Sequence, residues 1–124
     1  MKIKTLLLIL VLSSGLCLGA TVYPGPSGGF VFYSGAWYAP DKDPSGVLDY
    51  TMDWELWLDT DQITVSSWSA STGITVAASG STSTTATVWL SGGTVGKTYQ
   101  VTNTITTSMG RTTAQSFYIR VKKL

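Results

Sequence analysis

The sequence has no histidine, a single cysteine (Cys17) and few charged residues, which make up 12% of its 124 positions. Without histidine, and with no cysteine after residue 17, Ser-His and Cys-His nucleophile pairs and most zinc sites are excluded. The usual general base near neutral pH is missing as well. A formal net charge of +1 argues against a nucleic-acid-binding protein, which needs a clustered basic surface. These absences predict a protein that is not an enzyme and uses no metal or cofactor.

The seven acidic residues all lie between positions 41 and 61, which raises the question of a catalytic or metal site. Asp41–Gly46 is similar to the start of a calcium-binding loop, but Met52 stands where such a loop needs glutamate. Asp49 and Asp53 would lie about 13 Å apart on a strand, too far for a glycosidase pair. We therefore interpret the acidic cluster as the solvent-facing side of a strand and the turns beside it.

The first 41 residues differ from the rest of the chain. A basic start, an apolar run over Leu6–Leu12 and small residues after it predict a signal-peptide-like leader over 1–20. A lipoprotein anchored through Cys17 and a membrane span are alternatives, but the run is short for a span. Residues 21–41 are rich in proline, glycine and aromatics and predict an extended arm or linker. The aromatic stretch 30–40 is also consistent with a first strand.

From residue 42 onward, apolar and polar residues alternate, which is the pattern of half-buried strands. The alternation is clear in Leu48–Glu55, and a change of phase after Ile63 indicates a β-bulge. Six or seven short strands separated by turns predict an all-β fold, an immunoglobulin-like antiparallel β-sandwich over 42–124. Tyr99 follows a glycine turn, where such sandwiches use a tyrosine to hydrogen-bond back across a corner; a plain core tyrosine is the alternative.

Other side chains are predicted to have structural roles. Asp43 stabilises the turn before Pro44. Arg111 follows a glycine in a turn and is predicted to pair with Asp49 or Asp53, which would hold the last hairpin. The remaining positions belong to the core or to a single helical turn that caps the sheet, and they are Tyr50, Trp54, Trp57, Trp68 and Tyr99.

Aromatic residues are the remaining candidates for binding. Trp89 is out of phase with Val88 and Leu90, so it faces the side opposite to them. There it either stacks on a sugar ring or anchors a protein interface, or it is covered by a second sheet. The aromatics of the arm are predicted to dock on a neighbouring subunit, and they are Phe30, Phe32, Tyr33, Trp37 and Tyr38.

Several short sequence motifs occur in order from residue 42 onward. They include Lys42-Asp43-Pro44, Val47-Leu48-Asp49-Tyr50, Asp53-Trp54, Trp57-Leu58, Ser67-Trp68, Val88-Trp89-Leu90-Ser91-Gly92-Gly93, Asn103-Thr104-Ile105 and Gly110-Arg111-Thr112. Through these motifs the chain resembles the bacteriophage fiber–tail adaptor family over about residues 42–124. The resemblance implies a non-enzymatic virion structural protein at the tail–fiber junction. It would link tail or baseplate to receptor-binding fibers through protein–protein contacts, in several copies and without nucleic acid.

The predicted leader does not fit this picture, because virions assemble in the cytoplasm and a virion protein has no evident use for an export signal. The alternative is an exported immunoglobulin-like module, periplasmic or extracellular, that binds carbohydrate or acts in adhesion. Trp89 would then be the candidate for stacking on a glycan.

Overall fold

The computed structural model describes residues 25–27 and 29–124, so the predicted leader over 1–20 lies outside the described residues. Within the described part, no helix is long and apolar enough to span a membrane. The same part contains nine strands and one short helix. They are β1 Gly25–Ser27, β2 Val31–Tyr33, β3 Ala36–Tyr38, β4 Leu48–Asp53, α1 Glu55–Leu58, β5 Ile63–Ala70, β6 Ile74–Ser81, β7 Thr85–Gly92, β8 Thr98–Thr107 and β9 Thr112–Arg120.

The strands form two sheets. Sheet A has the order β1-β4-β7-β6, and sheet B has the order β2-β3-β9-β8-β5. Neighbouring strands are antiparallel, except that β3 runs parallel to β9. The predicted all-β sandwich is therefore confirmed, with β4 to β9 inside the range 42–124. Its immunoglobulin-like topology stays a prediction.

The segment predicted as an arm is paired with the sandwich. β1 lies beside β4 in sheet A. β2 and β3 form a hairpin, and β3 pairs with β9 through Trp37 opposite Phe117. The hairpin turns at Ser34 and Gly35, whose φ angles of 52° and 82° are those of a two-residue type I′ turn. Residues 25–38 thus extend both sheets, which differs from the arm that the proline and glycine content predicts.

The core lies between the sheets and is built from alternate residues of facing strands. Phe117 of β9 sits at its centre, with its ring 5.0 Å from Phe30, 5.6 Å from Tyr50 and 6.3 Å from Trp68. Burying each large apolar side chain contributes about 1.5–3 kcal/mol. The fully buried apolar residues include Met52, Trp54, Val88, Leu90, Val101, Ile105, Phe117, Ile119 and Val121.

The predicted core residues Tyr50, Trp54 and Trp68 all pack in this region. Trp54 is fully buried, Tyr50 is 7% exposed, and Trp68 is half-buried against the core. The Tyr50 hydroxyl and the Trp68 indole N–H have no hydrogen-bond partner among the described residues. Burial therefore raises the pKa of Tyr50 to about 12, because the phenolate is disfavoured away from water.

A small polar network crosses this apolar core. The Trp54 indole N–H donates to Asn103 Oδ1 at 2.8 Å. Asn103 Nδ2 donates in turn to Ser66 Oγ and to the Ser67 carbonyl, both at 3.0 Å. A buried amide needs such partners, since each unpaired group would cost about 1–3 kcal/mol. The network joins Trp54, the residue that precedes α1, to β8 and β5, and so fixes the start of the helical turn against sheet B.

Three local predictions are confirmed. The turn at Trp54, Trp57 and Leu58 is helix α1, and the register of β5 shifts after Ile63 as in a bulge. The Tyr99 hydroxyl accepts a hydrogen bond from the Thr94 N–H at 2.8 Å, back across the β7–β8 corner. Hydrogen bonds from the Thr94 side chain and amide lower the pKa of Tyr99. The tyrosine ring lies so close to Gly73 (φ +112°) that a Cβ there would be 2.8 Å from Tyr99 Cε1.

Candidate docking surfaces

Four bulky side chains lie exposed where β2 and β3 form the margin of sheet B. We call this group the aromatic edge; it consists of Val31, Phe32, Tyr33 and Tyr38, which are 60%, 57%, 70% and 39% exposed. β2 is the last strand of its sheet, so its outer main-chain groups have no neighbouring strand in the described chain. An open strand edge with large apolar side chains is a surface onto which another protein can pair.

Two rings of the aromatic edge each pack against another aromatic ring. The Phe32 ring meets the Trp37 ring edge-on with centroids 5.0 Å apart, and Tyr38 stacks on Tyr118 at 5.5 Å. Trp37 is half-buried and lies directly over Gly25, where a Cβ would be 2.5 Å from the indole. Rigid aromatics lose little conformational entropy on binding, which suits them to anchor a partner.

The five aromatic residues predicted to dock on a neighbour therefore divide into two groups. Phe30 and Trp37 point inward and pack against the core. Phe32, Tyr33 and Tyr38 remain exposed. The period of two explains the division within β3, because Trp37 pairs opposite the buried Phe117, whereas its neighbour Tyr38 faces outward.

Trp89 lies on the outer face of sheet A. It is 42% exposed, while Val88 and Leu90 on either side of it are fully buried. Its cross-strand neighbours are Asp49 on β4 and Ala78 on β6. Trp89 thus faces away from its neighbours as its phase predicts, and no second sheet of the described chain covers it. The predicted position of Asp49 on the polar side of β4 is also confirmed, since Asp49 is exposed.

One end of the sandwich is closed by an ion pair that differs from the predicted one. We call this end, formed by residues 53–61 and 107–111, the acidic end. Arg111 pairs with Asp61 at 3.0 Å, so the predicted pairing with Asp49 or Asp53 is wrong. Asp49 lies on the outer face of sheet A, and Asp53 accepts a hydrogen bond from the Glu55 amide. The carboxylate that Arg111 contacts is that of Asp61.

Asp61 is the centre of this end and is fully buried. Its carboxylate accepts hydrogen bonds from the Gln62 amide, the Ser108 hydroxyl and the Met109 amide at 2.8–3.1 Å. Burial alone would raise the pKa of Asp61, but hydrogen bonds from Thr107, Ser108, Gln62 and Arg111 hold it well below its usual range. This carboxylate joins the end of α1 to the β8–β9 turn.

Arg111 is also positioned by the helical turn. Its guanidinium carbon lies 4.1 Å from the centroid of the Trp57 ring, a cation–π contact. One of its terminal nitrogens donates to the Leu58 carbonyl at 3.3 Å. Trp57 packs edge-on against Trp54, with ring centroids 5.6 Å apart. Trp57 and Arg111, both predicted to have structural roles, thus contact each other, although the acidic partner of Arg111 is Asp61 and not Asp49 or Asp53.

The opposite end, residues 41–43, 92–97 and 120–124, carries most of the basic side chains; we call it the basic end. Arg120 makes two hydrogen bonds to Asp41, at 3.2 and 2.7 Å, which lower the pKa of Asp41. Asp43 accepts bonds from the hydroxyl and amide of Ser45 and from the Leu124 amide. These bonds, the Ser45 hydroxyl foremost, lower the pKa of Asp43 and give it the structural role predicted beside Pro44.

The described residues include four polar side chains in the interior that the sequence patterns do not single out, namely Lys42, Asp61, Asn103 and Thr107. The Lys42 ammonium donates to the carbonyls of Asp43 and Gly92 at 2.9 Å each, and burial lowers its pKa. The only sequence signal for Asn103 is its inward parity with Val101 and Ile105. Asp61 lies two residues before β5, a weak sign that its carboxylate orders the entry to that strand.

Among the described residues, no group of three or more histidine, cysteine, aspartate or glutamate side chains could hold a metal ion. Several of the carboxylates are instead engaged in structural bonds, as at Asp41, Asp43 and Asp61. The candidate docking features among the exposed residues are the aromatic edge, Trp89 and the two charged ends. They define a small β-sandwich whose surfaces are suited to docking.

Comparison with protein families agrees with this class. A family model described as podophage GP4 fiber-tail adaptor protein gp77 matches residues 42–120, and the chain belongs to this family. A search of curated proteins gave no match. The predicted resemblance is thereby confirmed. Membership indicates a phage fiber–tail adaptor of the virion and gives no support to the alternative of an exported module. Trp89 lies within the matched range, whereas the aromatic edge precedes it.

Proposed function

We propose that this protein is a non-enzymatic adaptor that holds two virion components at once, the tail and a receptor-binding fiber. One observation carries the proposal: exposed aromatic side chains occur on both sheets, at the aromatic edge of sheet B and at Trp89 on sheet A. A joint between two bodies needs two separate binding surfaces. Aromatic residues that are exposed on a rigid support are the usual anchors of such surfaces.

The two surfaces differ in how they would bind. The aromatic edge combines Tyr33 and Phe32 with an open strand edge, so it can add a partner strand by main-chain hydrogen bonds. The Trp89 face is the middle of a sheet, where only side chains are presented. The indole has the polar Asp49 on one side and the small side chain of Ala78 on the other side. This face suits a partner loop with an apolar side chain that packs against the ring.

The engagement of the carboxylates supports a role without catalysis. Asp41 and Asp61 are each bonded to an arginine, and Asp43 is bonded to Ser45 and Leu124. All three have a lowered pKa, so they are ionised near neutral pH and unsuited to act as general acids. Their chemistry is used to hold loops in place.

The test uses phage particles assembled with full-length variants. Phe32→Ser/Tyr33→Ser alters the aromatic edge and Trp89→Ser alters the sheet A face. Truncating an aromatic anchor weakens binding by about 2 kcal/mol or more, roughly 30-fold. We expect one variant to be absent from purified particles, which identifies the tail-binding face. We expect the other to be present while the fiber is missing, which identifies the fiber-binding face.

Val65→Ser is the matched control, because Val65 is 58% exposed on β5, away from both surfaces. It should leave the content of adaptor and fiber unchanged. Circular dichroism must show that each variant keeps the thermal unfolding of the wild type. Normal amounts of adaptor and fiber with both aromatic variants would refute the two-surface model.

A further inference from the structure

The side-chain charges of the sandwich are separated along its strands. The strands run between the acidic end and the basic end, a distance of about 34 Å for the ten residues of β8. Asp49 is the one acidic or basic residue of the described chain outside the two ends. The molecule therefore has a negative end and a positive end, which the net charge of +1 conceals.

Internal pairs neutralise part of the charge at each end. The Arg111–Asp61 pair closes the acidic end, and the Arg120–Asp41 pair lies at the basic end. At the acidic end, the side chains of Asp53 and Asp59 are exposed. At the basic end, the ammonium groups of Lys97, Lys122 and Lys123 are exposed, and they outnumber the half-buried carboxylate of Asp43.

Each end also carries apolar surface. At the acidic end, Leu56 on α1 is 41% exposed and Met109 is 66% exposed. At the basic end, Val95 is 53% exposed. Val95 lines a groove of about 230 Å³ together with Gly96, Arg120, Val121 and Lys122. The groove is smaller than the roughly 300–1,000 Å³ of small-molecule sites, so it is suited to single side chains of a protein partner.

We propose that copies of this protein associate head to tail, with the acidic end of one copy on the basic end of the next. Leu56 of one copy enters the groove beside Val95 of the other. Asp59, three residues beyond the exposed leucine, faces the lysines that flank the groove, Lys97 and Lys122. The two ends are opposite in charge, and each has exposed apolar side chains.

Charge complementarity points to a second copy in this orientation. Two acidic ends or two basic ends would bring like charges together, which disfavours a symmetric end-to-end dimer. A contact between unlike ends is heterologous and continues from copy to copy, closing into a ring or growing as a row. The aromatic edge and Trp89 lie on the sides of the sandwich, so both stay exposed in such an assembly. The inference goes beyond the adaptor function, since it concerns contacts between copies.

The experiment measures self-association of the purified full-length chain by sedimentation velocity at several protein and salt concentrations. We expect association that weakens as salt rises, because exposed charges are screened. Two double variants each alter the contact residues of one end. Leu56→Ser/Asp59→Ser alters the acidic end, and Lys97→Ser/Lys122→Ser alters the basic end. Each alone should sediment as a monomer, with a Kd raised by about tenfold or more. An equimolar mixture should form a one-to-one complex and stop there, because only one pair of intact ends remains.

Two controls separate this contact from other modes. Asp49→Ser removes a charge away from both ends and should associate as the wild type does. Phe32→Ser/Tyr33→Ser, which alters the aromatic edge, should also associate normally. A wild-type chain that stays monomeric up to about 1 mM would overturn the proposal. So would a mixture of the two end variants that forms no complex, or association that is lost with the aromatic-edge variant. Fiber attachment in particles is a separate readout, so either proposal can fail alone.

Discussion

The two ends of the sandwich each contain one arginine–aspartate pair of similar length, and the pairs differ in their surroundings. Arg111 and Asp61 approach to 3.0 Å, and the Asp61 side chain is fully buried. Arg120 and Asp41 approach to 2.7 Å, but Asp41 is 29% and Arg120 is 55% exposed. Asp61 also binds two amides and a hydroxyl. The contribution of such a pair to stability therefore follows from burial and shared donors, and the shorter distance does not make the stronger contact.

The largest effect is expected from Asp61→Asn. The amide would present an N–H group to donors that now share a carboxylate, leaving the Ser108 hydroxyl or the Met109 amide unpaired beside a cation. In urea unfolding the midpoint should fall clearly with little change in slope. Asp41→Asn is the matched control at the basic end and should unfold close to wild type. Equal losses in the two variants would contradict the comparison.

The second prediction concerns pH. The folded-state pKa of Asp61 is lowered, so its contribution is fully present above the unfolded-state value of about 3.9. That contribution is lost as the pH falls through the lower folded-state value. Wild-type stability should therefore be level above about pH 5 and decrease below about pH 4. Asp61→Asn should flatten this decrease when unfolding is measured at a series of acidic pH values.

Part of the acid sensitivity should remain in that variant, since Asp43 and Asp41 also have lowered pKa values. Asp41→Asn should remove a smaller part than Asp61→Asn does. An unfolding profile in Asp61→Asn that matches the wild type below pH 4 would show that Asp61 is not the group that responds.

The sequence predicts the main body of the fold well because a half-buried strand must alternate. The period of two places Met52, Val88 and Phe117 inside and Trp89 outside, as observed. The strands of residues 25–38 are three residues long each, too short to show a period. Their positions depend on pairing with distant partners, β4 and β9, which local patterns do not encode.

The partner of Arg111 could not be predicted for a related reason. Periodicity assigns faces within strands, whereas Asp61 and Arg111 lie in connections between strands. They meet because β5 pairs with β8 and brings residue 62 next to residue 108. A carboxylate in a polar turn is usually solvated, so its burial is visible only once both connections are in place. The same holds for Lys42, which is buried by contact with Gly92 fifty residues away.

A third, smaller effect is expected for the cation–π contact between Arg111 and Trp57. A cation–π contact at a partly exposed site contributes about 0.5–1 kcal/mol. A double-mutant cycle of Arg111→Gln with Trp57→Leu should give a coupling of that size, measured by urea unfolding. The cycle separates the contact from the packing of Trp57 on Trp54. The same cycle between Arg111 and Asp49 should give no coupling, because the two lie on different sheets.

The smallest effect is expected from Arg120→Gln at the basic end. Its guanidinium and the Asp41 carboxylate are both in contact with water, which already solvates the charges and limits the gain from pairing. The unfolding midpoint should shift only slightly, and about 1 M salt should abolish the difference from wild type, because screening then acts over about 3 Å. The loss caused by Asp61→Asn should persist at the same salt concentration, since the Asp61 carboxylate is buried and its donors include uncharged amides. If instead the Arg120 variant kept a large loss in high salt, exposure would not be what distinguishes the two ends.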